Sequence, residues 1–207
     1  MTDLNLYAYE QKLYDQGITL IAGVDEAGRG PLAGPVFAAA VILKKGAVLK
    51  HVNDSKQLTK KQRERALIEI KAHAVAIGIA LSSVEDIEKI NIYRASREAM
   101  LSAIGQLKVK PEFVLIDAMP IMALGIPNQS IIKGDAKSIS IAAASIIAKT
   151  TRDAYMEEMD KLFPQYHFKK NKGYGTKDHL DAIRRYGITP IHRKTYEPIK
   201  SLLKEKS

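Results

Sequence analysis

Two apolar runs, "TLIAGVD" (Thr19–Asp25) and "PVFAAAVIL" (Pro35–Leu43), are separated only by the stretch "EAGRGPLAG". Each run has strand length, and neither has a polar alternation that would leave one face in water, so both read as buried strands. A glycine-rich link this short leaves no room for a crossover helix, so the sheet has an antiparallel start.

The rest of the chain alternates periods of strand and helix. Residues 4–16 carry Leu6, Tyr9 and Leu13 at helical spacing, which predicts a short leading helix. "NDSKQLT" is a polar loop, and a helix follows from about Thr59 with Leu67, Ile70 and Ala74 on its inner face. "AVAIGIALS" is a third strand, and Ser82 with Glu85 three residues on has the spacing of a capping box. An amphipathic helix is built on Ile92, Ala95, Ala99 and Ile104. "EFVLID" is a strand ending on Asp117, and "QSIIKGD" is a strand ending near Asp135. "SISIAAASIIAKTTRDAYMEEMDKLF" is a long helix with an alanine-rich face. The order predicts an α/β fold, a mixed sheet flanked by helices. We divide it into a helical N-terminal extension (1–20), a central domain (21–163) and a smaller basic C-terminal subdomain (164–207) with one short helix from about Thr176.

Composition narrows the chemistry. With no cysteine, disulfides, thiolate metal sites and cysteine nucleophiles are excluded, and a reducing, cytoplasmic setting is expected. The longest uncharged runs, around Gly30–Leu43 and Ala118–Ile132, are too short and too rich in proline and glycine to span a bilayer. The net charge of +9 is uneven. Residues 161–207 hold 12 Lys+Arg against 4 Asp+Glu, and residues 1–160 hold 20 against 19. A basic tail region of this kind favours a polyanion.

Three apolar runs stop on acids: Asp25–Glu26, Asp117 and Asp135. One such aspartate reads as a turn former or helix cap. Three from distant parts of the chain, at the strand ends where α/β sheets build their sites, read as a cluster. Converging carboxylates repel unless a cation lies among them, and an all-oxygen set suits Mg²⁺ or Mn²⁺. Two such ions about 4 Å apart clamp a phosphodiester. The expectation is therefore metal-dependent phosphoryl chemistry on a nucleic acid. Adjacent strand residues point to opposite faces, so Asp25 and Glu26 are expected to share a site only through a bend at the glycine-rich turn. Other motifs fail. The glycines at 28, 30 and 34 are one residue off a dinucleotide fingerprint, with Pro31 where its helix would begin, and there is no P-loop. The five histidines have no zinc spacing and read as surface or capping residues.

"GVDEAGRGPLAGPV" closely resembles the signature of the bacterial ribonuclease HII family. "DSKQLT", "LIDA", "KGDAKS", "AAASIIAKTTRD", "NKGYGT" and "HRKTYEP" match it in order, from about residue 20 almost to the end. The related HIII type lacks the Gly-Arg-Gly step. The resemblance implies a ribonuclease H-like fold and endonucleolytic cleavage of RNA in RNA/DNA hybrids and of single ribonucleotides embedded in duplex DNA. The cut it implies falls 5′ of the ribonucleotide and leaves 3′-hydroxyl and 5′-phosphate ends, with Mn²⁺ or Mg²⁺ as cofactor. Its four acids carry over onto Asp25, Glu26, Asp117 and Asp135. Of these, Asp25 and Asp117 are expected to hold the metals most directly, Glu26 to complete one ion's shell and Asp135 to position the second ion or the water.

The Gly-Arg-Gly step then reads as the ribose test. Backbone groups of Gly28, Arg29 and Gly30 can approach a 2′-hydroxyl closely, and the arginine can take a phosphate. Tyr174 resembles the family's substrate tyrosine, stacking on the deoxyribose after the ribonucleotide. Lys56, with Arg193 and Lys194, is expected at phosphates. A monomer is expected. The rival readings are a non-catalytic nucleic-acid binder using the basic lobe, and a resolvase- or transposase-like nuclease, which would need no ribose test.

Overall fold

The computed structural model describes residues 6–53, 55, 58–121 and 124–204. Five strands, β1 (Ile21–Ala27), β2 (Val36–Leu43), β3 (Ala74–Ser82), β4 (Phe113–Asp117) and β5 (Asn128–Ile131), form one sheet in the order β3-β2-β1-β4-β5. The pairs β1–β2 and β2–β3 are antiparallel, and β1–β4 and β4–β5 are parallel. The short link between β1 and β2 permits only the first arrangement, and the long excursion between β1 and β4 permits the second.

The sheet is covered on both sides, as the run of apolar residues in β2 requires. Val36, Ala38, Ala40 and Ile42 pack with Ala95, Ala99 and Ala103 of α3 (Val84–Gly105). Ala39, Val41 and Leu43 pack on the opposite face with Ala66 and Ile70 of α2 (Lys60–His73) and Ala142, Ala143 and Ile146 of α4 (Ile139–Leu162). Helix α4 crosses β1 so closely that a Cβ on Gly23 would lie 2.0 Å from the Ser140 carbonyl carbon. Its small residues are what allow that approach.

Several local expectations shift. The capping box before α3 is Ser83 with Asp86, not Ser82 with Glu85. Ser82 ends β3, and its buried hydroxyl donates to the Ala95 carbonyl at 2.8 Å. Asn91 (φ 68°, ψ 162°) breaks α3, and its side chain accepts from the Arg94 N–H, so the amphipathic helix expected from this region starts anew there. Ala74 belongs to β3 and not to the inner face of α2; Ala66 and Ile70 make that face. The strand expected to run towards Asp135 ends at Ile131, and Asp135 lies in a 3₁₀ turn, Gly134–Ala136.

The leading helix α1 (Ala8–Tyr14) is bonded into the fold. Glu10 is buried, and its Oε1 accepts from the Ser138 hydroxyl at 2.5 Å and the Ser140 N–H at 3.0 Å. The Leu6 carbonyl accepts from the Ile139 N–H at 2.8 Å. A carboxylate and a carbonyl thus satisfy the open donors at the start of α4.

Beyond Pro164 come α5 (Phe168–Asn171), α6 (Lys177–Tyr186) and α7 (Ile199–Lys204). Their cluster of Tyr166, Phe168, Ala182, Ile183 and Ile199 is completed by Leu32 and Ala33 from the β1–β2 link and Met156 from α4. The link is also bonded to the lobe. Leu32 N–H donates to Gly173, Gly34 N–H to Ile191 and Arg193 N–H to Leu32, each at 2.8 Å.

Candidate active site

The parallel ladder between β1 and β4 ends at Val24–Ile116, so Asp25 and Asp117 are the next residue on each strand. Neighbouring strands lie about 4.8 Å apart, and side chains in register share a face. Asp25 is almost fully buried. It accepts the Glu26 N–H at 2.7 Å and is hydrogen-bonded by Ser145, whose Oγ lies 2.9 Å from that of Ser55. Asp117 Oδ1 accepts the Gly134 N–H at 2.6 Å.

No β-bulge separates Asp25 from Glu26. The ladder from β1 to β2 runs unshifted through Ala27–Phe37. Beyond Val24 the other edge of β1 has no strand partner among the described residues, and both acids line one cleft.

Burial, then the charges of Glu26 and Asp117, push the Asp25 carboxyl well above its ordinary range. Burial also raises Glu26, with the Arg29 charge opposing and Asp117 adding to the rise. Arg29 Nη1 reaches Glu26 Oε1 at 3.4 Å, while Glu26 Oε2 is buried with no hydrogen-bond partner. Buried carboxylates that repel one another, with one oxygen left unpaired, are a donor set of the kind a hard divalent cation satisfies. The residues therefore fit such an ion by chemistry. Among the described residues no three His, Asp or Glu side chains already stand at ligand spacing.

The cleft has a volume of about 330 Å³. Asp25, Glu26, Asp117, Gly28, Arg29, Gly30 and Tyr174 line it together. Asp135 is not in the lining; it is buried in the turn whose first residue, Gly134, holds Asp117. Lys56 lies outside the described residues.

The Gly-Arg-Gly turn is held by two buried arginines. Gly28 has φ +105°, and a Cβ there would meet Arg152 Nε at 2.2 Å. Arg152, from α4, donates to the carbonyls of Pro35, Ala33 and Lys172 at 3.0–3.2 Å. Arg193 donates to Gly28 at 2.6 Å, to Arg29 at 2.8 Å and to Gly34 at 2.7 Å. Tyr196 Oη donates to Arg29 at 2.9 Å. Burial and the neighbouring Arg193 charge lower Arg152 to about 10, and burial also lowers Arg193. Arg193, expected at a phosphate, is instead 0 % exposed and bonded to backbone carbonyls. Its fixed fork of donors is what suits it to three carbonyls at once.

Tyr174 is 48 % exposed beside the turn, its ring 3.6 Å from where a Gly30 Cβ would stand. Its loop is held by Asn171, whose side chain donates to Tyr166 at 2.7 Å and accepts from Gly173 at 2.8 Å. Ser145, Lys149 and Arg152 also line the cleft, and sequence reasoning assigned them no role. Their spacing of four and three puts them on one face of α4, which is the signal that could have found them. Lys149 pairs with Asp153, and its amine is lowered by burial. Two histidines expected at the surface, His179 and His192, are buried, with their Nε2 atoms 3.0 Å apart.

The family model for Ribonuclease HII matches residues 22–198. Ribonuclease HII of Acholeplasma laidlawii is 57% identical over 205 residues, covering 99% of this chain and 100% of that one. Ribonuclease HII of Geobacillus kaustophilus is 54% identical over 199 residues, 96% of this chain and 76% of that one. The crystal structure of the ribonuclease H2 from Pyrococcus horikoshii superposes with a TM-score of 0.76 at 26% identity, covering 89% of this chain and 97% of that one. With its mixed sheet, its carboxylates at the ends of β1 and β4 and its clamped glycine turn, the chain belongs to the ribonuclease HII family of enzymes.

Proposed function

We propose that the chain is a metal-dependent endoribonuclease that cleaves RNA in RNA/DNA hybrids and single ribonucleotides embedded in duplex DNA. The cut falls 5′ of the ribonucleotide and leaves 3′-hydroxyl and 5′-phosphate ends, the first step of ribonucleotide removal. The observation that carries this reading is that Asp25, Glu26 and Asp117, the Gly-Arg-Gly turn and Tyr174 line one cleft.

Asp25, Glu26 and Asp117 would hold Mn²⁺ or Mg²⁺, with Asp135 acting from the adjoining turn. Held there, the ions would supply a Lewis acid for the phosphodiester and a more acidic water at neutral pH. The chain's own groups do the selecting. Arg193 and Tyr196 already occupy the carbonyls of Gly28 and Arg29, so the N–H groups of the turn are left to meet a 2′-hydroxyl. Arg29, 46 % exposed at its side chain, is placed to take a phosphate oxygen. Tyr174 offers a ring to the following sugar, and the basic lobe, with Lys56, holds the backbone of the duplex. No helix among the described residues is long and apolar enough to cross a membrane. We place the enzyme in the cytoplasm, acting as a monomer.

The test is an end-labelled DNA duplex carrying one ribonucleotide, beside an all-DNA control, in Mn²⁺, in Mg²⁺ and in EDTA. A metal-dependent cut 5′ of the ribonucleotide, absent in the control, is expected. Binding without a cut in either metal would leave the binding-protein reading. Equal cutting of both duplexes would keep the metal site and remove the ribose test.

A further inference from the structure

The segment that holds the Gly-Arg-Gly turn and the loop of Tyr174 are joined by a buried hydrogen-bond chain whose proton positions the geometry determines. His179, in the first turn of α6, has Nδ1 2.8 Å from the Tyr174 carbonyl. A carbonyl only accepts, so Nδ1 carries a proton. In neutral His179, Nε2 is then an acceptor. His192 Nδ1 lies 2.8 Å from the Thr189 N–H, which only donates, so in neutral His192 the proton sits on Nε2. The two Nε2 atoms are 3.0 Å apart, one donor and one acceptor. One tautomer pair therefore satisfies every contact: His192 Nε2–H to His179 Nε2, and His179 Nδ1–H to Tyr174 O.

One end of this chain adjoins the segment that holds the turn, and the other holds a residue of the cleft lining. His192 forms an isolated bridge with Ala33 in the β1–β2 link, and the next residue, Arg193, holds the carbonyls of Gly28 and Arg29. His179 holds the backbone of Tyr174. The rings are enclosed by Tyr166 and Phe168, which stack on each other at 5.5 Å and meet both histidines edge-on or tilted. A hydrogen bond in such surroundings has no water to compete with it.

We propose that His179 and His192 are positioning residues that set the spacing between the ribose-reading turn and Tyr174, and so the fit of the RNA–DNA junction. This rests on the reading of Tyr174 as the ring against the substrate sugar.

The test has two parts. In the unmodified protein, imidazole ¹⁵N chemical shifts report tautomers directly. His179 is expected as the Nδ1–H form and His192 as the Nε2–H form, and the opposite assignment at His179 overturns the proposal. The second part is kinetic, on a duplex with one ribonucleotide. His179→Phe keeps the ring volume and removes the donor. It removes the acceptor of the His192 Nε2–H as well, and the lost hold on Tyr174 is expected to raise KM by about five- to tenfold with kcat within about twofold, the scale of one hydrogen bond. His179→Asn keeps a donor near the Nδ1 position and is expected to return KM to within about threefold of the parent. In a Tyr174→Ala background, His179→Phe is expected to have no further effect. An equal rise in both backgrounds would overturn the relay while leaving Tyr174 its role. If Tyr174→Ala alone left KM and kcat unchanged, the reading of Tyr174 would fall and the relay with it.

Discussion

Arg193 Nη2 donates to the carbonyl of Gly28 at 2.6 Å across 165 positions of the chain. The C-terminal lobe thus fixes the backbone of the turn that follows Asp25 and Glu26. A guanidinium that is 0 % exposed and bonded to carbonyls of Gly28, Arg29 and Gly34 is not available to a phosphate.

That distinction has a measurable consequence. Arg193→Lys keeps the charge but loses the fork, so the turn loosens. We expect kcat/KM on a ribonucleotide-containing duplex to fall about 10²-fold, as misplacement of about 1 Å would cause. In Arg193→Gln, which removes the charge, loss of a phosphate contact would reduce the slope of log affinity against log salt by about 1. The slope is expected to stay unchanged, and a reduced slope in a salt titration would restore the phosphate role.

How much of this was legible depends on how local each signal is. β1 and β2 were readable because their apolar runs are continuous and the link between them is short. Asp25, Glu26 and Asp117 were readable because each stands at the abrupt end of such a run. Asp135 was misplaced onto a strand because "QSIIKGD" stays apolar through Ile132, although pairing stops at Ile131. Ser82 and Ser83 are equivalent as caps in sequence; only the fold shows that Ser82 is needed inside, at the Ala95 carbonyl. Arg193 and His192 look like surface residues of a basic, loop-rich segment. Their partners, Gly28 and His179, are set by tertiary packing, which no local pattern encodes.

The carboxylates predict a trade between stability and function. As a metal ligand in the proposed function Asp25 would have to be charged at neutral pH, yet burial and its neighbours favour its protonated form. Removing that charge relieves the repulsion. Asp25→Asn is expected to abolish turnover while raising stability in EDTA by about 1 kcal/mol, about 2–4 °C in Tm for a chain of this size. Mn²⁺ should raise the Tm of the parent and have a much smaller effect on the variant. Thermal melts with and without the ion check this; a variant that melts lower in EDTA, with both proteins shifted alike by Mn²⁺, would remove these acids from the metal site.

The two glycines of the turn differ in what they tolerate. Gly28 combines φ +105° with Arg152 at 2.2 Å from a Cβ position, whereas at Gly30 the nearest atom is Tyr174 Cε1 at 3.6 Å, an ordinary contact. Gly28→Ala is expected to lose about 2–3 kcal/mol of stability and most activity. Gly30→Ala is expected to stay within about 0.5 kcal/mol and to act on KM, through the crowding of a sugar beside Tyr174. Urea unfolding and steady-state kinetics on the two variants separate these effects, and equal destabilisation would contradict the geometry of the turn.

The histidine pair gives a pH dependence with a definite sign. Burial first, then the neighbouring His179, lowers His192 from 6.5 to about 4, and burial lowers His179 as well. The titratable groups packed against the pair are each other and Tyr166, with Tyr186 edge-on to Tyr166. Between the folded and unfolded values the unfolded chain binds more protons, so stability rises with pH across that window. His192 therefore contributes stability that is complete above about pH 6.5 and is lost as pH falls towards about 4, on the order of 3 kcal/mol in all. Asp25 and Glu26, raised by burial, act with the opposite sign, so the parent alone does not isolate the effect. His192→Asn does, since its amide oxygen can still accept the Thr189 N–H and it does not titrate. The difference in unfolding free energy between parent and variant, measured from pH 7 to pH 4, is expected to shrink steadily as pH falls. A difference independent of pH would show that His192 titrates alike in the folded and the unfolded chain, and one that grows as pH falls would show that it enters the fold protonated, in which case the tautomer chain to Tyr174 could not exist.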